Sequence, residues 1–234
     1  MNPNDVNVQL LEVVAKHLGA ELLERMVFVG GAVAGLLITD PAMPSIRPTE
    51  DVDLVVQVTV LREYHAVEAA LKTRGFKQDM SADAPICRWR VAEVMVDVMP
   101  MEKSVLGFAN RWYPLAIETA DIFTLPSGIV IRLIKAPVFM ATKLEAFADR
   151  GKGDFLFSHD LGDLIALIDG RDSLVDECRQ QTNELKAYLQ LKFTVLMDNQ
   201  AFRQALSGHL SSDAASQSRL PLLEQKLYEL VNLL

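Results

Sequence analysis

Apolar residues recur at helical spacing over residues 6–24, where Val8, Leu11, Val14, Ala15 and Leu18 share one face, and this predicts an amphipathic helix. The short apolar run Met26-Val27-Phe28-Val29 reads as a strand, Gly30-Gly31 as its turn, and 32–37 as a short helix. A loop carrying Pro41 and Pro44 then leads into Val52-Asp53-Leu54-Val55-Val56, a second strand. Helical spacing returns over 61–74, with Gly75 as its stop signal. Strands are expected near 76–77, over 86–91 and over 94–99, the last two joined as a hairpin across Ala92-Glu93. Two more, 122–125 and 129–134, flank the turn sequence Pro126-Ser127-Gly128.

From Pro137 onward the period changes to that of helices. They are predicted over 137–149, 160–168, 173–182, 185–197, 199–206 and 220–234, with the small, polar stretch 207–218 as a loop. Strands and helices in the first part, then helices alone, predict an α/β (α+β) fold: a mixed sheet flanked by helices, followed by a helical C-terminal part. The expected division is a catalytic domain over 1–135 and a helical domain over 136–234 packing against the active site.

Within this pattern three acids stand out. Side chains two apart on a strand point to one face, so Asp51 and Asp53 project together while Val52 and Leu54 enter the opposite layer. Asp97 lies alone in the apolar run Val94-Met95-Val96-Asp97-Val98-Met99 and is costly to bury unless paired or bound to metal. Carboxylates held together repel unless a cation sits between them, and Mg²⁺ (or Mn²⁺) suits oxygen ligands of this kind. Gly30-Gly31, between strand and helix, would leave backbone N–H groups free to meet phosphate. A glycine pair alone is more often a tight turn, and an isolated acid–apolar–acid triplet an acidic turn. Their order and setting together point to metal-dependent phosphoryl transfer.

The pattern resembles the DNA polymerase β-like nucleotidyltransferase superfamily, and is closest to its abortive-infection (AbiEii-type) branch, found in toxin–antitoxin systems. The narrower likeness rests on Arg47-x-Thr49-x-Asp51-Val52-Asp53, on Lys143-Leu144-Glu145-Ala146-Phe147-Ala148-Asp149-Arg150, and on Asp160-Leu161-Gly162-Asp163-Leu164; the resemblance as a whole runs over roughly residues 26–170. It implies that Asp51, Asp53 and Asp97 are catalytic metal ligands, with Asp97 also helping to activate the attacking group. It also implies that Gly30 and Gly31 cradle a triphosphate, and that Lys143 contacts nucleotide phosphates. The reaction would move a nucleoside monophosphate from a nucleoside triphosphate to an RNA, protein or small-molecule acceptor, with an antitoxin as a further partner. Two departures stand in the sequence: the insert 38–46 lengthens the gap between glycines and acids, and His159 replaces the basic residue usual before the D-x-x-D helix.

Second-rank candidates keep two readings each. Lys143 and Arg150, seven apart, share a helix face and could span a triphosphate, or could lie on a solvated face. Asp160 and Asp163 could serve the site, or simply suit the first turn of a helix capped by Ser158. Arg47 meets phosphate or pairs with Glu50, while Thr49 orients the loop through a hydroxyl–backbone bond or meets the nucleotide.

Composition narrows the field. The 234 residues are 50% hydrophobic and 23% charged, enough for a real core, and no apolar run approaches the about 18 residues of a membrane span. A net charge of −8 disfavours non-specific nucleic-acid binding, which needs a basic surface. Two distant cysteines and a start, Met1-Asn2-Pro3-Asn4-Asp5, without signal character lead us to expect a cytoplasmic protein with reduced thiols. Four scattered histidines show no zinc spacing, and His159-Asp160 lacks the partner histidines of a metal hydrolase.

Overall fold

A computed structural model describes residues 5–44 and 46–234; the N-terminal residues 1–4, whose signal character was considered above, and Ser45 of the insert lie outside the described residues. The chain divides into two compact units. The first takes the residues up to Val33 together with Arg47–Lys135, and the second takes Ala34–Ile46 together with Ala136–Leu234.

The first unit is built on one mixed sheet of seven strands: β1 (Met26–Val29), β2 (Asp51–Val56), β3 (Lys77–Gln78), β4 (Arg88–Val91), β5 (Val94–Pro100), β6 (Asp121–Thr124) and β7 (Val130–Leu133). Their spatial order is β3-β4-β5-β2-β1-β7-β6. β2 and β5 pair in parallel at the centre, as do β1 and β7, and the remaining neighbours are antiparallel. The β4–β5 hairpin turns at Ala92 (φ 43°) and Glu93 (φ 66°), the doubly left-handed backbone that a tight two-residue hairpin needs.

Pleating decides which residues meet. Val52, Leu54 and Val56 alternate with Asp51, Asp53 and Val55, and on β5 Val96 and Val98 alternate with Met95, Asp97 and Met99. The valines, Leu54 and Trp89 of β4 are almost wholly buried and form the centre of the core. Helix Val6–Leu23 packs across β2, β5 and β7, breaking at Gly19 (φ 68°, ψ 166°) where periodicity alone predicts continuity. Helix Leu61–Thr73 is tied to β5 by the Tyr64 hydroxyl, which donates to the Val98 carbonyl at 2.8 Å. Two short helices, Lys103–Leu106 and Tyr113–Thr119, occupy a stretch that carries no clear period; the second carries Pro114 in its first turn.

The second unit is helical: Ala136–Arg150, His159–Gly170, Leu174–Arg179, Asn183–Asp198, Gln200–Ala205, Ala214–Gln217 and Leu220–Leu230, joined by the short helix Ala34–Leu37 that precedes the insert. The expected loop 207–218 holds a turn of 3₁₀ helix, Leu206–His209, and the helix Ala214–Gln217 capped by Asp213. The Pro-containing insert has a structural role here. Backbone N–H groups of Thr39 and Asp40 both donate to the Gly170 carbonyl at 3.0 Å, capping the end of helix His159–Gly170. Arg171 donates to the Leu37 carbonyl at 2.7 Å, and Arg219 bridges Asp40 and Asp169. The buried Lys226 donates to the Ile168 and Asp169 carbonyls at 3.1 and 3.0 Å, placing a cation at the negative end of that helix. No helix among the described residues is long and apolar enough to cross a membrane.

Candidate metal centre

The site grows out of the β2–β5 register. Residues Asp53 and Asp97 are paired neighbours across the two central parallel strands, so their side chains leave the sheet on the same side. Asp51, two residues before Asp53, joins them. Oxygen atoms from all three carboxylates lie within 4.8 Å of one another, the only such acidic group able to hold a metal ion among the described residues. Asp97 is 8% exposed, while Asp51 and Asp53 are half-buried.

Gly30 sits directly beneath this group. It follows β1, whose last residue Val29 is paired with Asp53, and has φ 71°. A Cβ at residue 30 would stand 1.8 Å from Asp53 Oδ2 and 2.6 Å from its Cγ, so the bare α-carbon is the space in which the carboxylate lies. Two separate constraints, left-handed backbone and direct contact, therefore select glycine. Gly31 is buried and opens a single 3₁₀ turn, Gly31–Val33.

The loop that launches β2 is held from the N-terminal helix. Asn7, buried in its first turn, donates Nδ2 to the Arg47 carbonyl at 3.1 Å and accepts the Thr49 N–H at 2.9 Å. The Thr49 hydroxyl donates to the Asp51 carbonyl at 3.1 Å, the loop-orienting bond expected of it. Arg47 thus enters the site's scaffold through its backbone, and Asn7 is a positioning residue that no sequence motif announced.

A second residue missed from sequence lies closer still. Arg88 of β4 is paired with Asp97 in the antiparallel hairpin register. Its guanidinium donates from Nε to Asp97 Oδ1 at 2.8 Å and from Nη2 to Oδ2 at 2.7 Å, and Nη2 also stands 3.5 Å from Asp51 Oδ2. These hydrogen bonds to Asp97 hold the Arg88 pKa above its usual range. Next to it, burial pushes the Cys87 thiol up to about 12, leaving a neutral sulfur.

In the helical unit, Lys143 is 6% exposed and donates to Asp163 Oδ2 at 2.7 Å and to Asp160 Oδ1 at 3.3 Å. Arg150 closes the group with two 2.8 Å bonds to Asp160. These four of the second-rank candidates thus form one ion cluster joining helices Ala136–Arg150 and His159–Gly170. Burial alone would raise the Asp160 carboxyl, but the Arg150 hydrogen bonds and the Lys143 charge outweigh it and hold it below the usual carboxylate range. Ser158 caps the second helix as expected, accepting the Leu161 N–H.

No family model and no curated protein matches the chain. Among solved structures it is similar to one described as a "putative nucleotidyltransferase" from H. pylori, with 12% identity, TM-score 0.45, and coverage of 100% of this chain and 94% of the other. It is also similar to JHP933 from Helicobacter pylori, with 14% identity, TM-score 0.43, and coverage of 96% and 87%. At such values the site is read from its own geometry.

Three outcomes follow from this geometry. Gly30→Ala forces Asp53 aside and adds about 1–2 kcal/mol of backbone strain, so titration of the variant with Mn²⁺ should show binding lost along with a lowered melting temperature. Lys143→Ala removes the buried cation shared by Asp160 and Asp163 and should cost about 3–5 kcal/mol in denaturant unfolding. Because the folded Asp160 pKa is depressed, its stabilisation is complete above the ordinary carboxylate pKa and lost as pH falls through the lower folded value. Replacing Asp160 with Asn should flatten that part of the acid-unfolding curve.

Proposed function

We propose that the chain is a divalent-metal-dependent nucleotidyltransferase, moving a nucleoside monophosphate from a nucleoside triphosphate to an acceptor and releasing pyrophosphate. The observation that carries this reading is the convergence of Asp51, Asp53 and Asp97 within 4.8 Å beside the bare α-carbon of Gly30. The donor set fits Mg²⁺ or Mn²⁺: hard carboxylate oxygens, close enough to share one ion, carrying charge that such an ion would offset. Asp51 and Asp53 would hold it, with Asp97 reaching it from β5. When bound, the ion supplies charge neutralisation along the phosphates and at the oxygen atoms gaining charge.

The chain's own residues supply the frame. An acceptor oxygen forms its bond to the α-phosphorus as the bond from that phosphorus to the α–β bridging oxygen breaks, and pyrophosphate leaves with the electron pair. Asp97 is the carboxylate assigned to draw the acceptor hydroxyl into line and receive its proton. Gly30 leaves the approach to Asp53 unobstructed by any side chain. The fixed strand register keeps the acids in place throughout, so the site is organised before substrate arrives.

Within the same proposal, the AbiEii-like motifs support an RNA or protein acceptor and a role as the toxin of a two-gene system with an antitoxin partner. The cytoplasm, with its nucleoside triphosphates, is the compartment this reading requires.

The test is incubation with each labelled nucleoside triphosphate, Mg²⁺ and a pool of total RNA and lysate, followed by identification of the labelled species. Wild type should label an acceptor, and Asp53→Asn should abolish labelling, at least about 10³-fold, with an unchanged circular dichroism spectrum. Nucleotide binding without transfer would instead mark an inactive binding module, and labelling of an aminoglycoside alone would mark an antibiotic-modifying enzyme. Equal labelling by wild type and Asp53→Asn would refute the assignment.

A further inference from the structure

The acid cluster already has a cation. Arg88 places its fork on both oxygens of Asp97, at 2.8 and 2.7 Å, and the same Nη2 faces Asp51 at 3.5 Å. Its side chain is 24% exposed, so solvent screens this charge only in part. The position is fixed by the backbone, since Arg88 and Asp97 are paired across the tight β4–β5 hairpin.

Two physical effects then oppose each other. Three carboxylates within 4.8 Å repel, and a guanidinium between two of them offsets part of that repulsion. The same guanidinium adds a positive charge beside the oxygens that an entering cation needs. We propose that Arg88 is a positioning residue and resident counter-ion, which holds Asp97 toward Asp51 and Asp53 and competes with the divalent ion for the oxygens of Asp51 and Asp97. This rests on the metal-centre reading above. It gives the site a weak intrinsic affinity for a bare ion in return for a preformed ligand set, an arrangement suited to an ion that arrives with the triphosphate.

The chemistry separates charge from fork. Glutamine at position 88 removes the charge and keeps a donor, whereas lysine keeps the charge and loses the two-pronged geometry. Direct Mn²⁺ titration by electron paramagnetic resonance, with no nucleotide present, reads the competition without reference to activity. R88Q should bind Mn²⁺ on the order of tenfold tighter than wild type, the effect of deleting one nearby like charge, while R88K stays near wild type. Equal or weaker binding by R88Q overturns the proposal. Should R88Q fail to fold, ¹⁵N spectra of the wild-type protein decide the matter. The arginine Nε–H signal absent from R88K should move on Mg²⁺ saturation, and a signal that stays still overturns the proposal. Wild type without saturable Mn²⁺ binding would sink the metal centre itself and this role with it; saturable wild-type binding that R88Q leaves unchanged would sink the role of Arg88 alone.

Discussion

Like charges brought together on adjacent strands set the terms for everything around them. The parallel β2–β5 register puts Asp53 beside Asp97, and pleating adds Asp51 to the same side. A one-residue slip between these strands would send Asp97 into the apolar layer with Val96 and Val98 on the wrong face. Register is therefore held from several directions: by buried valines and Trp89, by the Tyr64–Val98 hydrogen bond, and by the tight turn at Ala92 and Glu93. The core and the site are consequences of the same alternation, one for each face.

The two units solve a similar electrostatic problem in different ways. In the sheet unit a guanidinium serves two carboxylates near solvent. In the helical unit Lys143 is buried between Asp160 and Asp163, with Arg150 closing one side from the surface. The buried group links helices Ala136–Arg150 and His159–Gly170. The group around Arg88 is half-open, with its charges partly exposed to solvent.

Much of this was legible in residue order. Strand and helix periods located β1, β2, β5 and the longer helices, and two-residue spacing on a strand placed Asp51 with Asp53. Asp97 was legible because an ionised group in an apolar run demands a partner. Arg88 was not, since one arginine before a tryptophan carries no period, and only the hairpin register makes it face Asp97. Asn7 was hidden for the same reason: in sequence it is one polar position at the start of an amphipathic helix, and its partners lie forty residues away. The insert 38–46 read as a departure from pattern because its use, capping helix His159–Gly170, depends on tertiary contact. The helix Tyr113–Thr119 was missed because an apolar stretch of seven residues, with Pro114 in its first turn, is too short to show a period.

The side chain of Asn7 gives the first turn of helix Val6–Leu23 an influence out of proportion to its place at a helix end. First turns of helices ordinarily fray without consequence, but here the loosened turn would release the Arg47 carbonyl and the Thr49 amide together. Thr49 in turn steadies the backbone of Asp51. The placement of the first carboxylate is thereby tied to that helix turn, so loosening the turn would also loosen the backbone from which Asp51 projects.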